Sequence, residues 1–225
     1  MKIQDFADGG FYINLDHRKD KNDVMVNQLK DLGLDGFVER FSAVAAFDTI
    51  DYRVTDNHKM FLLGQATSQS HKNIIQIAKD RGYKNVLVLE DDAVFYKNDV
   101  AISIIEKSLD ELSKIEEWDV FFLGANLHDK ELNLQSDHLI KCDCCISSHA
   151  YILNERCFDK VLDNGFDKPF DVMDIFLNNQ FKNKYITYPA TVIQRGGNVT
   201  DLGGHISMSE EFWLSHYDKP IVKNY

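Results

Sequence analysis

Asn85-Val-Leu-Val-Leu-Glu-Asp-Asp-Ala-Val-Phe95 is the stretch whose reading decides the fold. Four consecutive aliphatic residues, Val86 to Leu89, run straight into three carboxylates, Glu90, Asp91 and Asp92. An apolar run without polar alternation is the pattern of a strand buried on both faces, as in a parallel sheet. Its length and its valines suit a strand better than a helix. In open α/β sheets, ligands bind just beyond the carboxyl ends of the strands. Three adjacent acids there repel one another unless something cationic sits among them. Hard oxygen ligands on a short loop suit Mg2+ or Mn2+, held by one or two carboxylates together with substrate phosphates. Alternation along an extended backbone would put Glu90 and Asp92 on one side and Asp91 on the other. The competing interpretation is a solvated acidic strand end with no ligand.

Outward from this strand, the periodicities alternate. Residues 11–15 read as a first strand, and a charged turn over 16–20 leads to a helix over 22–32 that Gly33 stops. A second strand is expected over 37–44, a helix over 65–81 ended by Gly82, a helix over 98–115 and a strand over 118–124. Strands alternating with helices imply βαβ units and a largely parallel sheet. After residue 125 the alternation weakens. A strand over 148–153, a helix from the cap Asn154 to 162, and a short helix begun by Asp171, with Val172, Ile175 and Phe176 as its apolar face, are expected there. Strands over 185–188 and 191–194 precede Arg195-Gly-Gly-Asn-Val-Thr-Asp-Leu-Gly-Gly-His205, a glycine-rich loop able to approach a ligand closely.

With 225 residues and no linker-like break, one α/β domain is expected. Hydrophobic residues at 44% and fifteen Phe supply a sizeable core. A net charge of −11 argues against a nucleic-acid partner, which needs an electropositive face. It leaves room for an anionic substrate, since a bound divalent metal inverts the local field. No run approaches the ~18 apolar residues of a transmembrane helix, and the start lacks a signal-peptide pattern. The chain therefore reads as soluble and cytoplasmic. Cys142, Cys144, Cys145 and Cys157 fit no common zinc spacing, so reduced thiols are expected. The sequon at Asn198 carries no weight without export.

Ile13-Asn-Leu-Asp-His-Arg-Lys-Asp20 resembles the opening Ile-Asn-Leu-Asp-x-Arg-x-Asp of glycosyltransferase family 25, the bacterial lipooligosaccharide glycosyltransferases and their collagen-modifying relatives. The resemblance continues in order through Phe37-Val-Glu-Arg-Phe-Ser-Ala-Val44, Gly64 with Ser70-His71, Leu87-Val-Leu-Glu-Asp-Asp92 and Trp118-Asp-Val-Phe-Phe-Leu-Gly124. It ends with His149-Ala-Tyr-Ile-Leu153 and Pro169-Phe-Asp171. Ordered context is what gives a motif its force. The chain departs from the family in Gln65-Ala-Thr-Ser-Gln69 before Ser-His and in Val199-Thr-Asp-Leu202 near the C-terminus.

The resemblance implies a GT-A-like (Rossmann-like) open mixed sheet, mostly parallel and flanked by helices. It also implies a nucleotide sugar as donor, expected to be a UDP-sugar. Residues 1–125 would form the nucleotide-sugar half, 126–205 the acceptor half and 206–225 a C-terminal tail. The implied activity is inverting and metal-dependent (Mn2+, or Mg2+), with a glycan, lipooligosaccharide or protein hydroxyl as acceptor. Carried over by residue, Asp92 binds the metal, Asp91 reaches the ribose or a metal-bound water, and Glu90 supports the pair. Asn14, Leu15 and Arg18 lie where the donor's base and phosphates belong, with Ser70, His71 and Thr200 as further donor contacts. Arg18 is equally suited to a salt bridge with Asp16 or Asp20. Gln194 and His205 are candidates for a further metal ligand.

Inversion needs a base on the opposite face of the sugar, for which Asp171 and Asp174 are candidates. Both would also serve as ordinary N-terminal helix residues. A non-catalytic nucleotide- or carbohydrate-binding module, and a phosphohydrolase with acids at strand ends, are the readings from other classes. An acceptor at the cytoplasmic membrane face and a bacterial or viral source round out the expectations.

Overall fold

The structure, a computed structural model, describes residues 1–46, 56–168, 171–195 and 210–224, apart from the side chains of 56–61 and 210. The first half of the chain runs α1 (Ile3–Phe6), β1 (Gly9–Asn14), α2 (Lys19–Asp31), β2 (Val38–Ser42), α3 (Asp56–Asp80), β3 (Asn85–Glu90), β4 (Ala93–Phe95), α4 (Asn98–Leu112) and β5 (Val120–Phe122). Four short strands follow: β6 (Asn126–Leu127), β7 (Leu132–Ser136), β8 (Leu139–Lys141) and β9 (Cys145–Ile146). The chain then continues through β10 (Ala150–Asn154), α5 (Phe158–Asp163), α6 (Met173–Gln180), β11 (Lys184–Thr187), β12 (Val192–Gln194), α7 (Glu210–Ser215) and β13 (Ile221–Lys223).

Nine strands form one mixed sheet in the order β13-β7-β8-β11-β5-β10-β3-β1-β2. Only β10 and β8 run against the others. The expected buried strand is β3, whose residues Val86 to Leu89 are fully buried. Its pleat divides them between two cores. Val86 and Val88 join Ile74, Ile75 and Ala78 of α3, Val161 of α5 and Leu177 of α6. Leu87 and Leu89 join Met25 and Leu29 of α2 and Ile105 and Leu109 of α4. Each such aliphatic side chain stabilises the fold by roughly 1.5–3 kcal/mol when fully buried. Helices thus cover both faces, as a strand apolar on both sides requires.

Several expectations change in detail. The helix before β3 begins at Asp56, well ahead of 65. Residues 126–146, where regular structure is hard to discern in the sequence, hold strands of two to five residues, too short to show a period. α6 begins at Met173, with Val172 in extended conformation before it. Asp171 therefore does not open the helix, and the buried face is Met173, Phe176 and Leu177, in place of Val172, Ile175 and Phe176. Asn154 caps a 3-10 turn over Glu155–Cys157 that leads into α5, its side chain accepting from the Arg156 N–H at 3.1 Å, while α5 itself begins without a side-chain cap. In the C-terminal tail, α7 buries Trp213 against His149, and β13 pairs in parallel with β7. All four cysteines are free thiols. Among the described residues, no helix is long and apolar enough to cross a membrane.

One close approach fixes β12 beside the sheet. A Cβ on Gly124 would lie 1.8 Å from the Val192 carbonyl oxygen and 2.9 Å from His149 Nε2. The carbonyl belongs to β12, which is held in place by its pairing with β4 and by the Val192 N–H bond to Leu123 O at 3.2 Å. Gly124→Ala is therefore expected to destabilise the protein by about 1–3 kcal/mol or more through overpacking. Urea unfolding should show a lower midpoint at unchanged slope.

Candidate active site

The site forms where β3 ends. β1, β2 and β3 run in parallel, so Asn14, Ser42 and Glu90 reach the same edge of the sheet. β10 enters antiparallel to β3 with Ala150 opposite Leu89, which brings the residues just before it, Ser147 to His149, to that edge as well. The Glu90 N–H donates to His149 O at 2.8 Å. β12 pairs antiparallel with β4 and sets Gln194 opposite Ala93, next to Asp92. A turn after Glu90 carries Asp91 and Asp92.

The three carboxylates have different partners. Glu90 Oε1 accepts from Ser148 Oγ at 2.7 Å and lies 3.3 Å from His71 Nε2. His71 is fully buried, and its Nδ1 is 2.9 Å from the Tyr151 hydroxyl. The two ring nitrogens of His71 thus face Glu90 and Tyr151. Burial pushes the Glu90 pKa up, but His71 and Ser148 outweigh it and hold the carboxyl down at about 2. Glu90 is therefore ionised.

Asp91 is buried and held at both oxygens, Oδ2 by Asn14 Nδ2 at 2.7 Å and Oδ1 by Lys21 Nζ at 3.0 Å. Asn14 is itself held, its Oδ1 accepting from Arg40 Nε at 3.0 Å and its Nδ2 donating also to Arg18 O.

Asp92 is different. Its Oδ2 accepts from Gln194 Nε2 at 3.2 Å, while Oδ1 is buried without a hydrogen-bond partner among the described residues. Burial first, then the charges of Glu90 and Asp91, raise its pKa to about 7 despite the opposing pull of Lys21.

Asp174 sits in the first turn of α6, with Oδ1 accepting from the Ile175 N–H at 2.7 Å. Its pKa is raised, by burial first, with Glu90 adding to the rise and His71 opposing it. Asp174 thus shares an electrostatic neighbourhood with Glu90 and His71. Asp171 is turned to Asn164, whose Nδ2 donates to it at 3.1 Å.

The remaining candidates divide. Asn14, His71, Glu90, Asp91, Asp92, Gln194 and Asp174 come together. Arg18 makes a two-pronged bond to Asp20 at 3.0 and 2.9 Å, while Asp16 takes Arg40. Leu15 lies in the turn after β1, accepting from the Arg18 N–H. Ser70 is fully buried and ties α3 to the chain after β2, accepting from the Val44 N–H and donating to Ala66 O. Thr200 and His205 lie outside the described residues.

His149 packs edge-on against Trp213 and accepts from or donates to Ser147 through Nδ1, and burial drops its pKa to about 4, so the ring is neutral. Lys21, Arg40, Ser148, Tyr151 and Trp213 were not anticipated. For Lys21 a signal existed, because it continues the Met25 and Leu29 stripe one turn earlier.

Among the described residues no three His, Cys, Asp or Glu side chains converge on a metal. What the site offers is a carboxylate with one bare buried oxygen beside an amide. That hard donor set fits a cation whose other ligands arrive as diphosphate and water oxygens.

The Asp92 shift has a definite sign. Its folded pKa of about 7 lies above the ordinary 3.8, so the native protein binds the extra proton and loses stability as pH rises between those values. Glu90, lowered from 4.5 to about 2, works in the opposite sense, and its contribution is lost as pH falls below 4.5 toward 2. In chelator, Asp92→Asn is expected to leave stability nearly unchanged near pH ~4 and to raise it by about 1–3 kcal/mol at pH ~8. Urea melts at the two pH values measure this directly.

No protein-family model matches the chain, and no curated protein matches it either. Solved structures similar to it include a glycosyltransferase involved in the glycosylation of the major capsid of PBCV-1, with 8% identity and a TM-score of 0.35 over 68% of this chain. The chain spans 62% of that protein's length. A197 from STIV is similar at 11% identity and a TM-score of 0.42, over 88% of this chain and 98% of that one. Mannose-1-phosphate geranyltransferase from Thermus thermophilus is similar at 9% identity and a TM-score of 0.38, over 80% and 72% of the two chains.

Proposed function

We propose that this chain is a metal-dependent, inverting glycosyltransferase that moves a sugar from a UDP-sugar to a hydroxyl of a glycan, lipooligosaccharide or protein acceptor. The observation that carries this is the unequal partnering of three consecutive acids. Glu90 and Asp91 are committed to protein partners, whereas Asp92 keeps a bare, buried oxygen beside Gln194. The ordered resemblance to family 25 supports the same reading from the sequence.

Asp92 and Gln194 would hold Mn2+ or Mg2+, which as a Lewis acid neutralises charge developing on a departing diphosphate. Asn14 and Lys21 fix the Asp91 carboxylate, and His71 with Ser148 fixes Glu90, so the donor meets a preorganised acidic edge. Asp174 is the proposed base. Its burial raises its pKa toward the working range of a general base, and it takes the acceptor's hydroxyl proton as that oxygen attacks the sugar. Asp171, bonded to Asn164, is a buttress of the loop before α6. By the same reading the protein works in the cytoplasm, without nucleic acid.

A thermal-shift panel of nucleotide diphosphates and nucleotide sugars, each with Mn2+ and with chelator, tests the donor side. Native-state ligands at ~100 Kd stabilise by about 2.7 kcal/mol, so a Mn2+-dependent shift with UDP species is expected. Asp174→Asn should retain that shift while sugar transfer or donor hydrolysis falls by roughly 10²–10⁴. Full turnover in Asp174→Asn removes it as the base. Binding with no turnover over any acceptor points to the non-catalytic module, and release of free phosphate points to a phosphohydrolase.

A further inference from the structure

Lys21 is a buried cation beside the acidic edge, in the first turn of α2. Its Nζ lies 3.0 Å from Asp91 Oδ1, with both side chains about nine-tenths buried. Its charge also reaches Asp92, where it opposes the repulsion from Glu90 and Asp91. A lysine at this depth is rare unless paired. A buried pair seldom adds net stability over apolar residues, so its placement beside a ligand edge calls for a role beyond folding.

We propose that Lys21 is a positioning residue and the resident countercation of the donor site. It holds the Asp91 carboxylate turned away from Asp92, keeps the affinity for a divalent cation low in the empty site, and lends its field to an incoming nucleoside diphosphate. This rests on the assignment of Asp92 as the cation ligand. The electrostatic consequence has two signs. A positive charge near Asp92 repels a second cation and attracts a diphosphate. Removing it therefore strengthens one ligand and weakens the other, an outcome that misfolding cannot mimic.

Calorimetric titration of the full chain with Mn2+ alone, and with UDP at saturating Mn2+, tests this at fixed ionic strength and mildly alkaline pH. Lys21→Met is expected to tighten Mn2+ binding by roughly three- to tenfold and to weaken UDP by a similar factor, the scale of one charge in a partly screened site. Asp91→Asn should weaken Mn2+. The double variant Lys21→Met/Asp91→Asn, which keeps the net charge of the edge, should bind Mn2+ more tightly than Asp91→Asn and less tightly than Lys21→Met, because the two charge changes act on the cation in opposite senses. Lys21→Arg should restore both affinities.

Removing one partner of a buried pair is destabilising, and Lys21→Met leaves Asp91 without its cation. If Lys21→Met fails to fold, the comparison of the double variant with Asp91→Asn carries the test, and the double variant must bind Mn2+ more tightly. Unchanged or weaker Mn2+ binding in Lys21→Met, or a double variant no tighter than Asp91→Asn, overturns the role of Lys21. A parent protein that takes up no Mn2+ overturns the Asp92 assignment itself and this inference with it.

Discussion

Because Val86 to Leu89 are buried on both faces, β3 delivers Glu90, Asp91 and Asp92 to a place where none of the three is fully hydrated. An unpaired ionised carboxylate is far too costly to bury, so each must find a partner, a proton or a cation. Each acid accordingly draws on a different part of the fold. α3 and the entry to β10 supply His71 and Ser148 to Glu90, β1 and α2 supply Asn14 and Lys21 to Asp91, and β12 supplies Gln194 to Asp92. This accounts for two of the antiparallel pairings in a largely parallel architecture. β10 runs antiparallel beside β3, and β12 runs antiparallel beside β4, and in each case the reversed strand brings its side chains to the acids.

Much of this was legible in the sequence. The run Val86 to Leu89 marked the central strand, and the helical periodicity over 22–32 and 65–81 marked two of the helices that flank it. What escaped was of three kinds. Strands of two to five residues between 126 and 146 carry no measurable period. Reversed strands look like parallel ones, because direction leaves no trace in an apolar run such as Tyr151-Ile-Leu153. Lys21 falls between the expected turn over 16–20 and the expected helix over 22–32 and was given no role, since local sequence does not show which lysine a tertiary carboxylate will bury. Its spacing from Met25 and Leu29 was the available clue.

The choice between Asp171 and Asp174 was undecidable from sequence for a related reason. Three residues apart, they share a helix face only if the helix includes both, and it does not. Starting α6 at Met173, where its N–H meets Ser68 Oγ at 2.9 Å on α3, leaves Asp171 in the loop with Asn164. Asp174 is thus the one of the two carried on the helix, where the charge of Glu90 reaches it.

Glu90 then links the two halves of the site. Its carboxylate raises the pKa of both Asp92 and Asp174. A cation on Asp92 would cancel part of the negative field reaching Asp174 and, taken alone, would make the proposed base weaker at the moment the donor is loaded. Burial is the largest cause of the Asp174 shift, ahead of the charges of Glu90 and His71. The raised pKa of Asp174 therefore rests chiefly on its burial in the first turn of α6 and only secondarily on the charges around it. With the proposed base on a helix and the proposed cation ligand on a turn, the two requirements separate: one is met chiefly by burial and the other by charge.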